Sequence, residues 1–573
     1  MGTLKAFVIT VYLILIANSC QEKPALWDGP KLTQSRSQIT VEQLLEGGTI
    51  PLTDMSFFTR PEWAQPALVK FSGAIKFEDT EMIFPVNRAY YPGENLFPGI
   101  TLDFISHEEE LIPVRKEIMI NRLPSQSSWN VILGTGKVWH EEGDGEWSRA
   151  SFPLSLTDSY IGQVRNCVAT FVFIKDTISN VCVQCSQETA DLNDNQVGDM
   201  RVVLPAGYQP RSYSDSVSVI ERRTRIKSER LPVFPLSVID RDNEIAGYFE
   251  KSLYTNAPTS LGAVLMDDKL YLQPPMTRHG LYPYPDEMRH AVYSVTKSMA
   301  GALALFYFAE RYGDEIFDAL ITDYVPELSE HPAWQGVTFS NTLNMVTGTE
   351  GGEDSAHLYE ILVRALSAEE AIRNIAGLGN YPGGPGERFN YASTNLFVLS
   401  YALQNMVERK EGAGVSYWDL VRDNVLVPVG AGDFTLLRTV EPDGSDGIPL
   451  LAYGAWPAAD EAAKIALLLS REGNYNGQQL LSRERCREAL GRTGWSGYST
   501  GNDWRGKNYR HSFWATDVRA GGCTVNVTYM LGYGGNYIWF FPSGMIAIRF
   551  MDEYDLNFKD LVKDIERIRA SCN

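Results

Sequence analysis

Between residues 35 and 230 the apolar positions fall in short runs of strand length, with little helical periodicity. "ALVKFSGAIKF", "NVILGTGKVW" and "CVATFVFIKDT" are rich in β-formers, some alternate, and Gly, Asp, Asn and Pro separate them. This pattern predicts an all-β domain over 35–230, a sandwich or a barrel. The stretch "SERLPVFPLSVIDRDNEIAG" then brings two prolines and a cluster of charges. It predicts a linker over 231–247, with little interpenetration of the parts it joins. From Tyr248 the period changes. "SMAGALALFYFAERYG", "SAEEAIRNIAG", "TNLFVLSYALQNMVE" and "DEAAKIALLLSREG" predict helices. "NYIWFFPSGMIAIRFM" predicts two sheet strands joined at "PSG", and "LVKDIERIRAS" a last amphipathic helix. Helices interleaved with a sheet that C-terminal strands complete predict an α+β domain over 248–573. No internal repeat of fixed period is present.

The N-terminus has its own pattern. Lys5 precedes "AFVITVYLILIA", an apolar run short for a membrane span, and then come "NSC" and "QEKP". Residues 1–20 are expected to be a secretory signal peptide. Cys20 stands where a bacterial lipoprotein is lipidated, although Ala17 occupies a position where Leu, Val or Ile is usual. Lipidation at Cys20, which would tether the chain to a membrane, and simple cleavage both stay open. The expected location is the periplasm or cell envelope, or the medium. An N-myristoylation signal fails at Ala6, where Ser or Thr is needed. No later stretch is apolar and long enough to span a bilayer.

A length of 573 residues predicts two domains or three, and 44% hydrophobic with 21% charged residues is ordinary for globular cores. The formal charge of −20 argues against a nucleic-acid partner, whose phosphates would be repelled. Without Cys20 six cysteines remain: Cys167, Cys182, Cys185, Cys486, Cys523 and Cys572. An exported chain meets an oxidising compartment, so disulfides are allowed. With three cysteines in each half, at most one bridge per half is expected, leaving one cysteine over in each. Cys182-x-x-Cys185 would need a second such pair, or paired histidines, to hold a metal, and neither is near. Trp129, Trp139 and Trp147 would suit a sugar-stacking platform, but buried aromatics are the commoner reason for such residues.

The chemistry gathers around "HAVYSVTKSMAGALALF". Ser294 and Lys297 lie three apart at a helix start, which puts them on one face. A serine hydroxyl needs a base for its proton and donors for a developing oxyanion. Histidine is the usual base, but the seven histidines are scattered and none lies in a compelling motif. The Gly-x-Ser-x-Gly match, "GYSTG" around Ser499, lacks the strand–turn–helix context of a nucleophile elbow and reads as loop. Lysine replaces histidine when burial or nearby positive charge lowers its pKa. Ser-x-x-Lys alone is a weak signal in so long a chain, since a capping serine and a snorkelling lysine look the same. Two further stretches strengthen it. "PGERFNYASTNLF" places Tyr391 after a Pro-Gly turn and just before a helix, with Ser393 two residues on. "MLGYGGNYIWF" opens a strand with glycines that permit close approach of a substrate.

With these residues in hand, the segment from Tyr248 to Asn573 resembles the β-lactamase-related serine hydrolases, the family of class C β-lactamases, D-aminopeptidases, certain esterases and 6-aminohexanoate-dimer hydrolases. Ser294-Val295-Thr296-Lys297 matches the nucleophile motif, and Tyr391-Ala392-Ser393 the Tyr-x-Asn/Ser motif. Tyr533-Gly534-Gly535 stands in place of the Lys/His-x-Gly motif. "LNMVTGTEGG" and "REGNYNGQQLLS" resemble two supporting segments, and the order is that of the family. The resemblance implies a mixed antiparallel sheet flanked by helices, with an α-helical subdomain holding Tyr391. It implies that Ser294 attacks an acyl carbonyl, that Lys297 and Tyr391 manage the proton, and that water releases an acyl-enzyme. The oxyanion donors would be the backbone N–H groups of Ser294 and Asn536. No metal or organic cofactor is implied. Where Tyr533 stands a cation is common, and in β-lactamases it helps receive the substrate carboxylate. Tyrosine offers a neutral hydrogen bond and a ring face, which favours an ester or amide without a nearby anion. Arg505 or Arg510 would restore the cation if a loop carried either one in.

The expected function is therefore an exported serine hydrolase that cleaves an ester or amide of a small molecule or peptide. A cell-wall D-amino-acid peptidase or transpeptidase, a β-lactamase, and a binding protein with a decayed hydrolase domain are the alternatives. Retention of Ser294, Lys297 and Tyr391 together counts against the last. The acyl and leaving groups, the role of the N-terminal domain and the oligomeric state have no signature in the sequence.

Overall fold

The computed structural model describes residues 26–27, 29–34, 39–83, 92–158, 162–189, 199–249, 261–353, 361–362, 365, 367–502, 505–551 and 557–572. The expected signal peptide and Cys20 lie outside these residues. The fold is α+β. Two large sheets carry it, one from each half of the chain, with helices clustered on the second.

The first sheet has eleven strands, all paired antiparallel. Its centre is the long pair Ser148–Asp158 and Val164–Ile174, extended by Val181–Thr189 and Met200–Leu204. Every position of Ser148–Asp158 is buried, which explains why these strands do not alternate cleanly between apolar and polar. One face packs around Phe71, Phe104, Phe152, Phe171 and Phe173. The other is covered by Leu44, Met55 and Phe58 from the N-terminal arm and by Tyr282, Tyr284 and Met288 from the second half. The all-β expectation for 35–230 omits two helices of this stretch, Val41–Glu46 and Ser216–Ser228. Trp129 and Trp139 are fully buried and Trp147 is packed into the core edge, so they form no sugar platform.

The second sheet has nine strands, in the order Val233–Pro235, Lys269–Gln273, Leu261–Met266, Ile546–Phe550, Asn536–Phe540, Cys523–Gly532, Phe513–Ala520, Asn508–Arg510, Tyr498–Ser499. Only the Val233–Pro235 edge is parallel. The two strands expected around "PSG" pair with each other, Phe540 opposite Ile546. The helices Leu303–Tyr312, Ala368–Ala376, Ser393–Glu411, Ala459–Ser470 and Lys559–Ile568 stand where the apolar period places them. Ser367 caps Ala368–Ala376 through the Glu370 amide, and Gly313, at φ 103°, ends the helix at Tyr312.

The stretch expected as a linker, 231–247, is more than a spacer: it supplies the edge strand Val233–Pro235 and most of the helix Glu244–Phe249. The two halves also interlock. Asn166 accepts the Arg289 amide at 3.0 Å and donates to the Arg289 carbonyl at 2.8 Å. The Tyr282 and Tyr284 hydroxyls donate to the carbonyls of Cys167 and Ser151. Buried Glu287 receives Lys116 at 2.6 Å and Arg223 at 3.2 Å. The expectation of little interpenetration fails here, because residues 276–290 lie along the first sheet as its covering layer and bury their polar groups against it. Composition at 231–247 carries no trace of that contact.

The cysteines divide as the count requires. Cys167–Cys185 joins neighbouring strands of the first sheet, and Cys523–Cys572 ties the C-terminal tail to the second. Cys182 and Cys486 are free and buried. Cys182 and Cys185 are thus no functional pair.

Candidate active site

Residues 289–297 enter the second half's core along a path fixed at both ends. Arg289 is held by Glu461 at 2.7 Å, and Gly532 closes on the Val292 carbonyl so tightly that a Cβ there would sit 2.1 Å from it. Only glycine fits at that point. Tyr293, at φ 43°, occupies the left-handed region, which a bulky residue adopts at a cost of about 1–3 kcal/mol. That bend places Ser294 at a turn before the helix rather than inside it. Among the described residues no hydrogen bond from the Ser294 N–H is present. The helix then opens with a π-helical segment, Lys297–Ala302, a widening often found at functional sites.

Lys297 is 1% exposed. Its Nζ donates to Ser294 Oγ at 2.7 Å, to Ser393 Oγ at 2.9 Å and to the Ala452 carbonyl at 2.9 Å. These three acceptors use all the protons of an ammonium group, and none carries a full charge. Tyr391 presents its ring face to the same Nζ, 4.9 Å from the centroid. Phe389, Tyr509 and Trp514 pack around Tyr391 and fix its plane. Ser393 is the first residue of the helix Ser393–Glu411 and is itself buried.

Ser294, Tyr391 and Tyr533 line one pocket of about 130 Å³ together with Glu353, Arg505, Trp514, Leu531 and Gly532. It opens into a wider cleft of about 570 Å³, where Tyr381, Phe389, Asn390 and Asn502 join Glu350, Glu353 and Arg505. Tyr533 is 44% exposed at the rim and packs edge-on against Tyr293. Gly534, Gly535 and Asn536 lie beyond this wall. Asn536 is buried, with its side chain tied to the Tyr533 carbonyl and the Met551 amide. Leu531 and Gly532, which no motif singled out, stand on the pocket in their place.

The structure also separates the other candidates. Arg505 lines the pocket, and its backbone is pinned by Asn502 and by the Tyr529 hydroxyl. Arg510 is buried elsewhere against Thr528, and burial pulls its pKa down to about 10. Ser499, read from the sequence as loop, sits exposed on the edge strand Tyr498–Ser499 and lines neither pocket. Among the described residues no histidine lines either pocket. His511 is buried beside Glu488, and burial, then neighbouring Arg289, pushes buried His290 down to about 3.

Glu353 is a further pocket residue that no motif singled out. It accepts the Ser393 hydroxyl in a short hydrogen bond, and its carboxylate lies 3.8 Å from Lys297 Nζ. Its only sequence signal was its place just after the supporting segment "LNMVTGTEGG".

A family model described as Beta-lactamase matches residues 271–568. Among solved structures the chain is similar to a penicillin binding protein from Bacillus halodurans, at 16% identity and TM-score 0.41, over 58% of this chain and 98% of that one. It is similar to a family VIII carboxylesterase at 15% identity and TM-score 0.43, over 58% of this chain and 96% of that one. A D-stereospecific amidohydrolase from Streptomyces sp. matches at 13% identity and TM-score 0.41, over 58% of this chain and 99% of that one. No curated protein matches in sequence.

Proposed function

The chain belongs to the Beta-lactamase family, a family of serine hydrolases, and from that premise we propose that it cleaves an ester or amide through an acyl-enzyme on Ser294. The observation that carries this is the 2.7 Å contact between Ser294 Oγ and a buried lysine whose other hydrogen-bond acceptors are Ser393 Oγ and the Ala452 carbonyl. Lys297, once it has given up a proton, takes the Ser294 proton as Oγ attacks the carbonyl carbon. The ring of Tyr391, against the Lys297 ammonium, places its phenol on the pocket to serve the leaving group. The Ser294 N–H and a second amide from the turn after Gly532 receive the oxyanion. Water then hydrolyses the acyl group and Ser294 is restored. Export, with or without a lipid on Cys20, belongs to the same reading.

The pocket suits a small, largely neutral acyl group. Tyr533 carries no charge, while Glu353 and Arg505 line the same wall with opposite signs. The wider aromatic cleft takes the remainder of the substrate. A second reading, a peptidase or β-lactamase acting on carboxylate-bearing substrates, is favoured by the presence of Arg505 in the pocket. An active-serine probe such as a fluorophosphonate, followed by peptide mapping, tests the nucleophile, with label expected on Ser294. Steady-state kinetics on a nitrophenyl ester, a D-amino-acid amide and a chromogenic cephalosporin then rank the substrates. The ester should be turned over best. Efficient cephalosporin turnover with negligible esterase activity would overturn the ester reading.

A further inference from the structure

Lys297 as held in the structure donates all three protons, so before it can accept one from Ser294 it must lose one. The Ala452 carbonyl cannot take it and Ser294 must not. The remaining neighbour is Ser393, whose hydroxyl accepts from Lys297 and donates onward to Glu353. A hydroxyl accepts and donates at once, whereas an asparagine amide, the other residue common at this motif position, does not pass a proton on. The direct Lys297–Glu353 separation of 3.8 Å is too long for a hydrogen bond, so the path runs through Ser393. Glu353 is 24% exposed on the pocket wall and so meets solvent, which Lys297 does not.

We propose that Glu353 is the far end of a proton relay, Lys297–Ser393–Glu353, that sets the protonation state of Lys297. This rests on the reading of Ser294 as nucleophile. In the relay step the Lys297 ammonium gives a proton to Ser393 Oγ as the Ser393 hydroxyl proton passes to the Glu353 carboxylate. Ammonium and carboxylate become amine and carboxylic acid, and Ser393 ends as it began. The amine takes the Ser294 proton during attack, and Glu353 loses its proton to solvent between turnovers. Glu353 touches no reacting atom and is a positioning residue in this scheme. The groups that face it are Lys297 and Tyr391 from the nucleophile side, Arg505 from a loop and Tyr509 from a strand of the second sheet, Tyr453 beside Ala452, and Glu350 on its own loop.

The test uses the full chain and a neutral nitrophenyl ester. Wild type should show kcat/KM rising with pH through an acidic limb. Glu353→Gln keeps the shape and a hydrogen bond but cannot accept the proton. It should lose roughly a hundredfold at neutral pH and shift or abolish that limb, while Glu353→Asp restores part of both. Ser393→Ala should give a similar loss, and combining it with Glu353→Gln should add little, because both cut one path. A Glu353→Gln profile within a few-fold of wild type at every pH, with an unmoved limb, would sink the relay. Fluorophosphonate labelling of wild type separates this from failure of the underlying reading. Label on Ser294 with an unmoved Glu353→Gln profile removes the relay alone, and hydrolysis that survives Ser294→Ala removes the nucleophile and the relay with it.

Discussion

The first sheet and the helix start packed on the second sheet each bury a cation almost completely, and the two cations are held in opposite ways. In the first sheet Arg149, 0% exposed, is gripped by Asp144, also 0% exposed, at 2.7 Å. At the helix start Lys297 is held by two hydroxyls and a carbonyl, and among the described residues its nearest carboxylate, Glu353, stands 3.8 Å off. A buried pair of full charges has nowhere to send a proton and serves structure. A buried ammonium held by neutral acceptors, one of them a hydroxyl that leads on to a carboxylate, has a hydrogen-bonded route for one. Buried polarity alone does not mark chemistry. What marks it is incomplete neutralisation next to a cleft.

The sharpest way to break this contrast is to remove the nucleophile. Ser294→Ala should cut turnover by roughly 10⁴-fold or more while the circular dichroism spectrum stays that of wild type. Lys297→Ala and Tyr391→Phe should each lose several orders of magnitude, with the double variant scarcely worse than either. Hydrolysis within a few-fold of wild type in any of these would remove that residue from the scheme.

Exchanging the two cations for methionine sharpens the comparison. Arg149→Met strands the Asp144 carboxylate and should cost about 3–5 kcal/mol of stability, with kcat of the folded fraction unchanged. Lys297→Met should do the reverse, abolishing turnover with little loss in a urea melt. If both variants lost mainly stability, Lys297 would be a structural residue like Arg149.

The joint between the sheets makes a pH prediction. Burial acts to raise the pKa of Glu287, but Lys116, Arg223 and Arg230 outweigh it and hold the carboxylate down at about 2. A depressed pKa stabilises the fold above the ordinary carboxylate value of 4.5 and loses that stabilisation as pH falls toward 2. The amount is on the order of 3 kcal/mol. Glu287→Gln should therefore flatten the dependence of stability on pH over this window. An unchanged slope in acid-unfolding curves would show that the joint contributes nothing. For the same reason residues 248–573 expressed alone should be poorly soluble, since 276–290 would lose the surface they cover.

The smallest expected effect concerns substrate choice. Arg505→Ala should lower kcat/KM for a carboxylate-bearing ester relative to a neutral one by about tenfold, the value of one modest charged hydrogen bond. Equal effects on both esters would mean that Arg505 only shapes the wall.

Much of this was legible in the chain. The change of period near Tyr248, the helices and the two strands around "PSG" are local matters, set by side-chain spacing and turn residues. Ser294, Lys297, Tyr391 and Ser393 were nominated by the family's motifs; spacing alone relates Ser294 to Lys297, and the resemblance joins that pair to Tyr391 and Ser393. Leu531, Gly532 and Glu353 were not. Glu353 reaches Ser393 across forty residues, and no periodicity encodes such a contact. The difference between Arg505 and Arg510 was equally invisible, since five residues of loop and strand decide which of them meets the cleft.

The sequence by itself determined which elements form and which residue types could do chemistry, because both depend on neighbours within a few turns of chain. Tertiary structure decided the rest. It laid 276–290 against the first sheet, paired Cys167 with Cys185 rather than Cys182, and carried Arg505 to the cleft while burying Arg510. It also set a carboxylate one hydroxyl away from Lys297. These are contacts between segments far apart in the chain, and their free energy depends on burial and on which charges end up facing each other. Neither quantity exists until the chain has closed on itself.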